Sequence, residues 1–268
     1  AQNTKRIRFG PMGYTVAINE PLRTAEETLI LDHMSNGRLD VGLTRGITPH
    51  ELITYGVRNE EGMPRLREGV EFLLKAWTQH ERFSFNGEFY KYFDVDLPWE
   101  PVQQPHPPIW IPSFTPANVK EWGRRGYSTA GISWLGTEPL LETLNAYQEG
   151  WKTSGRRTSD QRFGYLCHII VTDTDKEGKE LALEHFPPTI DLFDYLDVQR
   201  NHWIGDTDMK RTSQGVHNLY RQIRQYDHFD KNFMVLSGSP PRIVEQIQRL
   251  REVLPVNVIL GEFSYGML

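Results

Sequence analysis

Arg45 stands at the point where an apolar run ends, in the stretch GRLDVGLTRG at residues 37–46. A guanidinium can bind a phosphate through two parallel hydrogen bonds, so an arginine at the tip of a predicted strand is a candidate phosphate ligand. A structural ion pair with a helix carboxylate explains the same residue about equally well when the sequence alone is considered. The sequence therefore indicates a charged site here and leaves its ligand open.

Arg65 opens a long helical pattern in the stretch MPRLRE and is a second candidate for the same anion, with Arg67 as its substitute. The alternative is a solvated surface arginine. Ser113 and Thr115 lie just before a predicted helix at residue 116, where hydroxyls and backbone N–H groups together form an anion site. Simple helix capping is the alternative for either hydroxyl.

The sequence also offers a rival phosphate site and three candidate histidines. The rival is SGSPP at residues 237–241, because barrel enzymes commonly hold phosphate after their last two strands. The histidines are His50, His168 and His202, each in a segment that could reach a cleft. Histidines more often have a surface or packing role, so His50 is only a weak catalytic candidate and no catalytic base is assigned.

The composition narrows the class of protein. The chain has 268 residues, 38% of them hydrophobic, and a net charge of -5. Nucleic-acid and membrane-surface proteins usually carry basic patches, so neither partner is expected. No run approaches the roughly 20 apolar residues that cross a bilayer. With one cysteine, Cys167, no H-E-x-x-H and no G-x-S-x-G, the sequence predicts a cytoplasmic protein without an intramolecular disulfide, a metal site or hydrolase chemistry.

These candidates must be positioned by short β-like runs that alternate with amphipathic helical patterns. Strands are predicted at residues 6–14, 38–44, 109–114, 128–134, 162–172 and 256–264, and helices at 20–35, 61–79, 116–125, 138–153, 175–185 and 239–250. Residues 83–108 are predicted to be an irregular excursion, and 186–232 an insertion with short helices. The alternation predicts an α/β fold with a parallel sheet.

The alternation fits either an open doubly wound sheet or a (β/α)8 barrel. An open sheet that binds a dinucleotide carries G-x-G-x-x-G after its first strand, and this chain lacks that motif, so the barrel is favoured. Six strands cannot close such a barrel, so by this pattern two are missing. Barrel active sites lie at the C-terminal ends of the strands. This rule selects Met12-Gly13-Tyr14, Thr44-Arg45-Gly46, Ser113-Phe114-Thr115, Ser133-Trp134, Thr172-Asp173 and Gly261-Glu262-Phe263.

Seven stretches follow one another along the chain in the order expected for one known family: RIRFG, EPLRTAEETLILDHMSNGRLDVGLTRG, RLREGVEFLLKAW, PVQQPHPPIWIPSFTPANV, GISW, GSPPRIVEQI and VNVILG. In these stretches, from residue 6 to 264, the chain resembles the bacterial-luciferase-like flavin-dependent monooxygenase family. The resemblance implies a (β/α)8 TIM barrel of which this sequence covers strands three to eight. The expected organisation is one luciferase-like domain over residues 1–268, without the usual first two strand-helix units and the final helix.

The resemblance also implies a binding site for the phosphate of FMN. Arg45 matches the family's phosphate-binding arginine, and Arg65 matches a second arginine that reaches the same phosphate. Ser113 and Thr115 lie in the region that supplies a hydroxyl, and the assignment between the two is left open. The rival site at 237–241 ranks second, because the family uses the fourth and fifth strands.

For the flavin ring, the resemblance implies contacts from residues of three strand ends. Ser133 and Trp134 match the family's contact with the ring, although a buried core tryptophan is a common alternative. Met12 and Gly13 match a pair that forms a non-proline cis peptide behind the ring, with an ordinary glycine turn as the alternative. Thr44 stands where the luciferase itself has a cysteine, so any role of that cysteine does not transfer. The family's best-known catalytic histidine belongs to the second barrel strand.

The activity implied by the resemblance is oxidation of a small organic substrate, such as an aldehyde, ketone or sulfonate, by reduced FMN and oxygen. The aromatic loop 83–100 and the insertion would wall the cleft. A separate flavin reductase would supply the reduced cofactor, and a homodimer or a heterodimer with a homologous chain is expected. Two alternatives stay open: a deazaflavin-dependent oxidoreductase that transfers hydride without oxygen, and a non-catalytic partner subunit of a related enzyme.

Overall fold

The computed structural model describes residues 3–46, 49–188 and 226–262, except for the side chains of residues 49 and 50. The chain divides into two compact units, Ala1–Pro112 and Ser113–Leu268. Each unit contains parallel strands followed by helices, which confirms the predicted α/β class. Among the described residues, no helix is both long enough and apolar enough to span a membrane.

The first unit is built around a short parallel sheet. Its elements are β1 (Tyr14–Thr15), α1 (Pro21–Ser35), β2 (Val41–Thr44), α2 (Pro49–Thr54), α3 (Gly62–Thr78), β3 (Phe83–Asn86), β4 (Lys91–Val95) and β5 (Ile109–Trp110). Strand β2 lies between β1 and β5 and runs parallel to both. The C-terminal ends of β1 and β2 are therefore neighbours.

Helices α1 and α3 form where the sequence predicts them. The Glu20 side chain caps α1 by accepting backbone N–H groups of its first turn, and Asn36 ends the helix in the left-handed conformation, with φ 54°. The two helices pack together, with the Trp77 indole N–H donating to the Thr28 hydroxyl at 3.2 Å in the buried interior. This bond joins the last turn of α3 to the middle of α1.

The predicted strand over 6–14 is only partly regular. Phe9 forms a single parallel bridge with Leu39, and regular pairing resumes only in β1. Between these points the Met12–Gly13 peptide bond is cis. A Cβ atom at Gly13 would lie 2.5 Å from the carbonyl carbon of Gly42, so this segment approaches β2 more closely than any side chain would allow.

The prediction of an irregular excursion over 83–108 is wrong in its first part, because β3 and β4 form an antiparallel hairpin. Its connection begins with Asn86 and Gly87, a common hairpin-turn pair whose signal is outweighed in the sequence by the prolines that follow. Glu68 of α3 holds this connection. Its carboxylate accepts the backbone N–H groups of residues 88, 89 and 90 at 2.9, 2.9 and 2.7 Å.

The second unit is organised around its longest strand. Its elements are α4 (Pro116–Arg125), β6 (Thr129–Ile132), α5 (Thr137–Lys152), β7 (Phe163–Val171), α6 (described residues 175–188), α7 (Tyr226–Lys231), β8 (Val235–Gly238), α8 (Pro240–Val253) and β9 (Val258–Glu262). Strands β6, β8 and β9 all pair with β7 in parallel. The buried Phe163, Tyr165 and Cys167 of β7 belong to the hydrophobic core of this unit.

Strand β8 is absent from the prediction, which counts six strands and leaves residues 233–238 unassigned. All four of its residues are buried, so the strand shows no alternation of apolar and polar positions. Within the predicted insertion with short helices, residues 186–188 continue α6 and residues 226–231 form the short helix α7. Residues 189–225 of the predicted insertion lie outside the described residues.

Candidate cofactor site

Arg45 follows the last residue of β2 and lies against the start of α3. A Cβ atom at Gly62, the first residue of α3, would lie 3.3 Å from the Arg45 carbonyl oxygen. Glycine at this position therefore lets the end of the strand approach the helix closely. The N-terminus of a helix attracts anions, and the half-buried Arg45 lies beside it, while Glu61 at the N-cap of α3 places a carboxylate at the same helix end.

Arg65 lies in the first turn of α3, and its side chain is held from two sides. Its Nε and Nη2 lie 3.0 and 2.9 Å from Glu61 Oε2, and its guanidinium carbon lies 4.8 Å from the centre of the Phe89 ring. The side chain is 23% exposed, so it is not a solvated surface arginine. Arg67 projects about 200° away from Arg65 around the helix axis. The two arginines therefore lie on different sides of α3 and do not bind the same anion.

Glu61 links the start of α3 to a further arginine. Hydrogen bonds from Arg58, and then from Arg65, hold the pKa of the Glu61 carboxyl below its usual value. Arg65 is therefore kept at the start of α3 by a carboxylate that stays ionised. Glu61 was not among the predicted site residues. Its spacing of four residues from Arg65 on a helix predicts the ion pair between them.

Two threonines stand side by side where β1 and β2 end. Thr15 and Thr44 are register partners, and their hydroxyl oxygens lie 3.3 Å apart. The Thr15 hydroxyl donates to Glu51 Oε1 at 2.7 Å from α2. Thr44 is predictable from its place at a strand end, whereas Thr15 and Glu51 are not, because only the strand register and the position of α2 bring the three together.

The Met12–Gly13 cis peptide that the resemblance implies is present immediately before β1. The Gly42 N–H donates to the carbonyl of Pro11 at 3.1 Å, which fixes this segment against β2. Of the candidates, Thr44 and Arg45 lie at the C-terminal end of β2, and Met12 and Gly13 precede β1 and lie beside Gly42 within β2.

Ser113 and Thr115 precede α4 in the second unit. Thr115 occupies the N-cap position but makes no side-chain capping bond, and the Ser113 hydroxyl accepts the Thr115 backbone N–H at 3.3 Å. Thr115 is exposed and Ser113 is half-buried. The Thr115 hydroxyl is therefore not committed to capping α4, the alternative role considered for it.

The rival phosphate site at 237–241 already contains a protein carboxylate. Asp175 Oδ1 accepts both the backbone N–H and the hydroxyl of Ser239, at 2.9 and 2.6 Å, where α8 begins. These hydrogen bonds hold the pKa of Asp175 below its usual value. A phosphate would meet this negative charge, and among the described residues no arginine is paired with the carboxylate at this helix start as Arg58 and Arg65 are with Glu61 at the start of α3.

Ser133 and Trp134 directly follow β6. Ser133 is fully buried, and its hydroxyl donates to the Met234 carbonyl at 2.9 Å, so this side chain positions the residue before β8. Trp134 is 8% exposed. Its indole lies parallel to the His168 imidazole, with 6.2 Å between ring centroids and 7° between planes. Most of the Trp134 side chain is therefore packed inside the protein, as the alternative of a core tryptophan expects.

His168, on β7, is the predicted histidine that the structure places beside a candidate flavin contact. It is 1% exposed, and its Nδ1 lies 3.7 Å from Glu262 Oε2 at the end of β9. Burial lowers the pKa of His168 to about 4 and raises the pKa of Glu262. The imidazole is therefore neutral at pH 7. The side chain of His50 and the whole of His202 lie outside the described residues.

Cys167 lies next to His168 along the same strand. It is buried, and burial raises the pKa of its thiol to about 12, so the thiolate needed for nucleophilic or metal chemistry does not form at neutral pH. Within the part of the chain that the structure describes, no group of three His, Cys, Asp or Glu side chains is arranged to hold a metal ion.

The sequence of the chain is similar to a family model and to flavin-dependent monooxygenases. A family model described as luciferase-like monooxygenase matches residues 1–256. The oxygenase component of flavin-dependent trigonelline monooxygenase from Acinetobacter baylyi is 32% identical over 191 residues, covering 69% of this chain and 51% of that protein. FMNH(2)-dependent dimethylsulfone monooxygenase from Pseudomonas putida is 25% identical over 259 residues, covering 91% and 66%. The chain thus spans about half to two thirds of the length of these relatives.

Solved structures show the same fold. The oxygenating constituent of 3,6-diketocamphane monooxygenase from Pseudomonas putida, solved with FMN, superposes with a TM-score of 0.73 at 21% identity, covering 99% of this chain and 75% of that one. An F420-dependent secondary alcohol dehydrogenase superposes with a TM-score of 0.71 at 16% identity, covering 97% and 74%. At these identities the likeness concerns the fold alone.

Proposed function

The chain belongs to the luciferase-like monooxygenase family, whose members are TIM-barrel α/β proteins, and on this premise we propose that it is a flavin-dependent monooxygenase. It uses reduced FMN and molecular oxygen to oxidise a small organic substrate, such as an aldehyde, ketone or sulfonate. Six of its strands correspond in this proposal to barrel strands three to eight: β1, β2, β5, β6, β7 and β9.

The observation that carries the proposal is the contact between Arg45 and the start of α3. In this proposal the guanidinium of Arg45, whose backbone lies against the first residue of α3, joins the N–H groups of that helix end as a donor to a phosphate monoester, while the Glu61 carboxylate stays paired with Arg58 and Arg65. Arg65 adds a second guanidinium within the first turn of the same helix. These residues fit the phosphate of FMN.

In this proposal the phosphate is bound by Arg45 and Arg65, with a hydroxyl from Ser113 or Thr115. Met12, Gly13 and Thr44 contact the ring, as do Ser133 and Trp134. FMN, when bound in its reduced form, supplies the activation of oxygen. The chain's own residues orient the cofactor and exclude water: the buried Trp134 offers an apolar wall, and the close packing of Gly13 on β2 leaves no room for solvent behind it.

A separate flavin reductase is the proposed partner. The trigonelline relative is named as an oxygenase component, a name that implies a second component to deliver reduced flavin. A homodimer, or a heterodimer with a homologous chain, is the proposed assembly. Because this chain covers only part of its relatives' length, the reaction and the partner are proposed for the protein that contains it.

Titration of the purified protein with FMN and, separately, with F420 tests the proposal by ligand fluorescence. Micromolar binding of FMN supports the monooxygenase. Binding of F420 alone would replace the monooxygenase with the alternative, a deazaflavin-dependent oxidoreductase that transfers hydride. One protein of the same fold is named an F420-dependent secondary alcohol dehydrogenase. Binding of neither would point to a non-catalytic partner subunit and overturn the proposal.

A further inference from the structure

Thr15 at the end of β1, Thr44 at the end of β2 and Glu51 on α2 form a hydrogen-bonded series with a defined direction. Glu51 Oε1 accepts the Thr15 hydroxyl at 2.7 Å, and Thr15 Oγ1 lies 3.3 Å from Thr44 Oγ1. A threonine hydroxyl has one proton and two acceptor lone pairs. Because the proton of Thr15 is directed to the carboxylate, the contact between the two hydroxyls has to use the proton of Thr44.

The proton of Thr44 is therefore directed back into the protein. Its other nearby acceptor is the Tyr14 carbonyl, 3.5 Å away and also on β1. With either acceptor, the outward side of the Thr44 oxygen carries lone pairs. Thr15 is buried, with 8% of its surface exposed, whereas Thr44 is half-exposed, so of the two hydroxyls Thr44 is the one that a ligand can reach.

We propose that Glu51, acting through Thr15, fixes Thr44 as a hydrogen-bond acceptor towards the flavin, so that the site prefers the reduced cofactor. This inference rests on the proposed function, because it takes the flavin ring to lie beside Thr44. Glu51 and Thr15 are positioning residues, and Thr44 is the residue that touches the cofactor.

The chemistry of the ring edge decides the preference. At position 5, a reduced flavin carries an N–H group, an oxidised flavin carries a nitrogen lone pair, and a 5-deazaflavin carries a C–H group. An acceptor at Thr44 pairs with the N–H, opposes the lone pair and is indifferent to the C–H. An enzyme that receives its flavin already reduced, and has to release it after oxidation, needs this order of affinities.

The test compares oxidised FMN with oxidised 5-deazaflavin mononucleotide, which has the same phosphate and ring shape. Dissociation constants are measured by fluorescence for the unaltered protein and for Thr15→Val, which removes the nearer acceptor of the Thr44 proton and leaves only the longer, weaker contact of 3.5 Å with the Tyr14 carbonyl to hold it. We expect Thr15→Val to bind oxidised FMN about threefold to tenfold more tightly, the worth of one ordinary hydrogen bond, and to bind the deazaflavin unchanged.

Variants of Glu51 separate positioning from mere packing. In Glu51→Gln the side-chain carbonyl still accepts the Thr15 proton, so this variant should behave as the unaltered protein. Glu51→Leu removes the acceptor and should behave as Thr15→Val, which also provides a second route if Thr15→Val fails to fold.

The midpoint potential of bound FMN gives an independent measurement. Loss of the preference for reduced flavin should lower it by about 14–30 mV in Thr15→Val, Glu51→Leu and Thr44→Val, because tenfold corresponds to 29.6 mV for a two-electron couple. If both ligands bind but their affinity ratio is the same in Thr15→Val and Glu51→Leu as in the unaltered protein, the inference is wrong while the proposed function stands. If neither ligand binds the unaltered protein, the proposed function fails and the inference fails with it.

Discussion

The His168 imidazole lies parallel to the Trp134 indole and within 3.7 Å of the Glu262 carboxylate, although His168 lies within β7, Trp134 follows β6 and Glu262 ends β9. Burial lowers the pKa of His168 to about 4, from 6.5 in the unfolded chain. Between these values the unfolded chain binds a proton that the folded chain does not. The stability of the second unit should therefore fall as the pH is lowered from about 6.5 to about 4.

This pH dependence is measurable as the free energy of unfolding in urea at several pH values. His168 should account for a loss of roughly 3 kcal/mol across that window, from about 1.4 kcal/mol per pKa unit. His168→Gln should flatten the slope, whereas His80→Gln, at a side chain that is 60% exposed, should not. The raised pKa of Glu262 acts with the opposite sign, so only the difference between variant and unaltered protein measures His168. Equal slopes in both proteins would refute this account.

Arg45 should discriminate FMN from riboflavin, which lacks the phosphate. Arg45→Ala is expected to weaken FMN binding about tenfold to a hundredfold, the value of a charge-assisted hydrogen bond, and to leave riboflavin binding unchanged. Fluorescence titration with both ligands measures the two effects. Arg82→Ala is the control, because Arg82 is 64% exposed and pairs with surface carboxylates. An equal loss for FMN and riboflavin would place Arg45 away from the phosphate.

Gly13 should tolerate no side chain. A Cβ atom there would meet the carbonyl carbon and oxygen of Gly42 at 2.5 Å, and backbone atoms cannot rotate aside. Gly13→Ala is expected to cost about 3 kcal/mol of unfolding free energy or more. Gly155→Ala is the control, since nothing lies within 4 Å of its Cβ position and only its φ of 72° is unfavourable, at about 1 kcal/mol. Urea denaturation ranks the two, and similar midpoints would contradict the close approach.

Glu68 should hold the β3–β4 hairpin and, through Phe89, the side chain of Arg65. Glu68→Ala leaves three backbone N–H groups without their carboxylate, so we expect a loss of about 1–3 kcal/mol in stability and weaker binding of FMN. Glu71→Ala, at an exposed position on the same helix, is the matched control. The prediction fails if Glu68→Ala has the same urea midpoint and FMN affinity as this control.

The sequence by itself determined the elements whose signals are local. Helix α1 has the Glu20 side chain and Asn36 at its ends, and α4 runs from Pro116 to Arg125 as predicted, because caps and prolines act on their immediate neighbours. The strand-end rule also selected Thr44 and Arg45 before any contact was known. The hairpin and β8 escaped prediction, since prolines dominate the stretch around the first and uniform burial removes the alternation of the second.

Only the tertiary structure decided which groups meet. The hydrogen bond from Thr15 to Glu51 joins residues 36 apart, and the bonds from Ser239 to Asp175 join residues 64 apart. The first depends on where α2 packs after β2, and the second on how α6 and α8 start beside each other. Strand register and helix packing are set by the burial of whole elements. No short stretch of sequence therefore predicts the direction of the Thr44 hydroxyl proton, or that the Asp175 carboxylate binds at the N-terminus of α8.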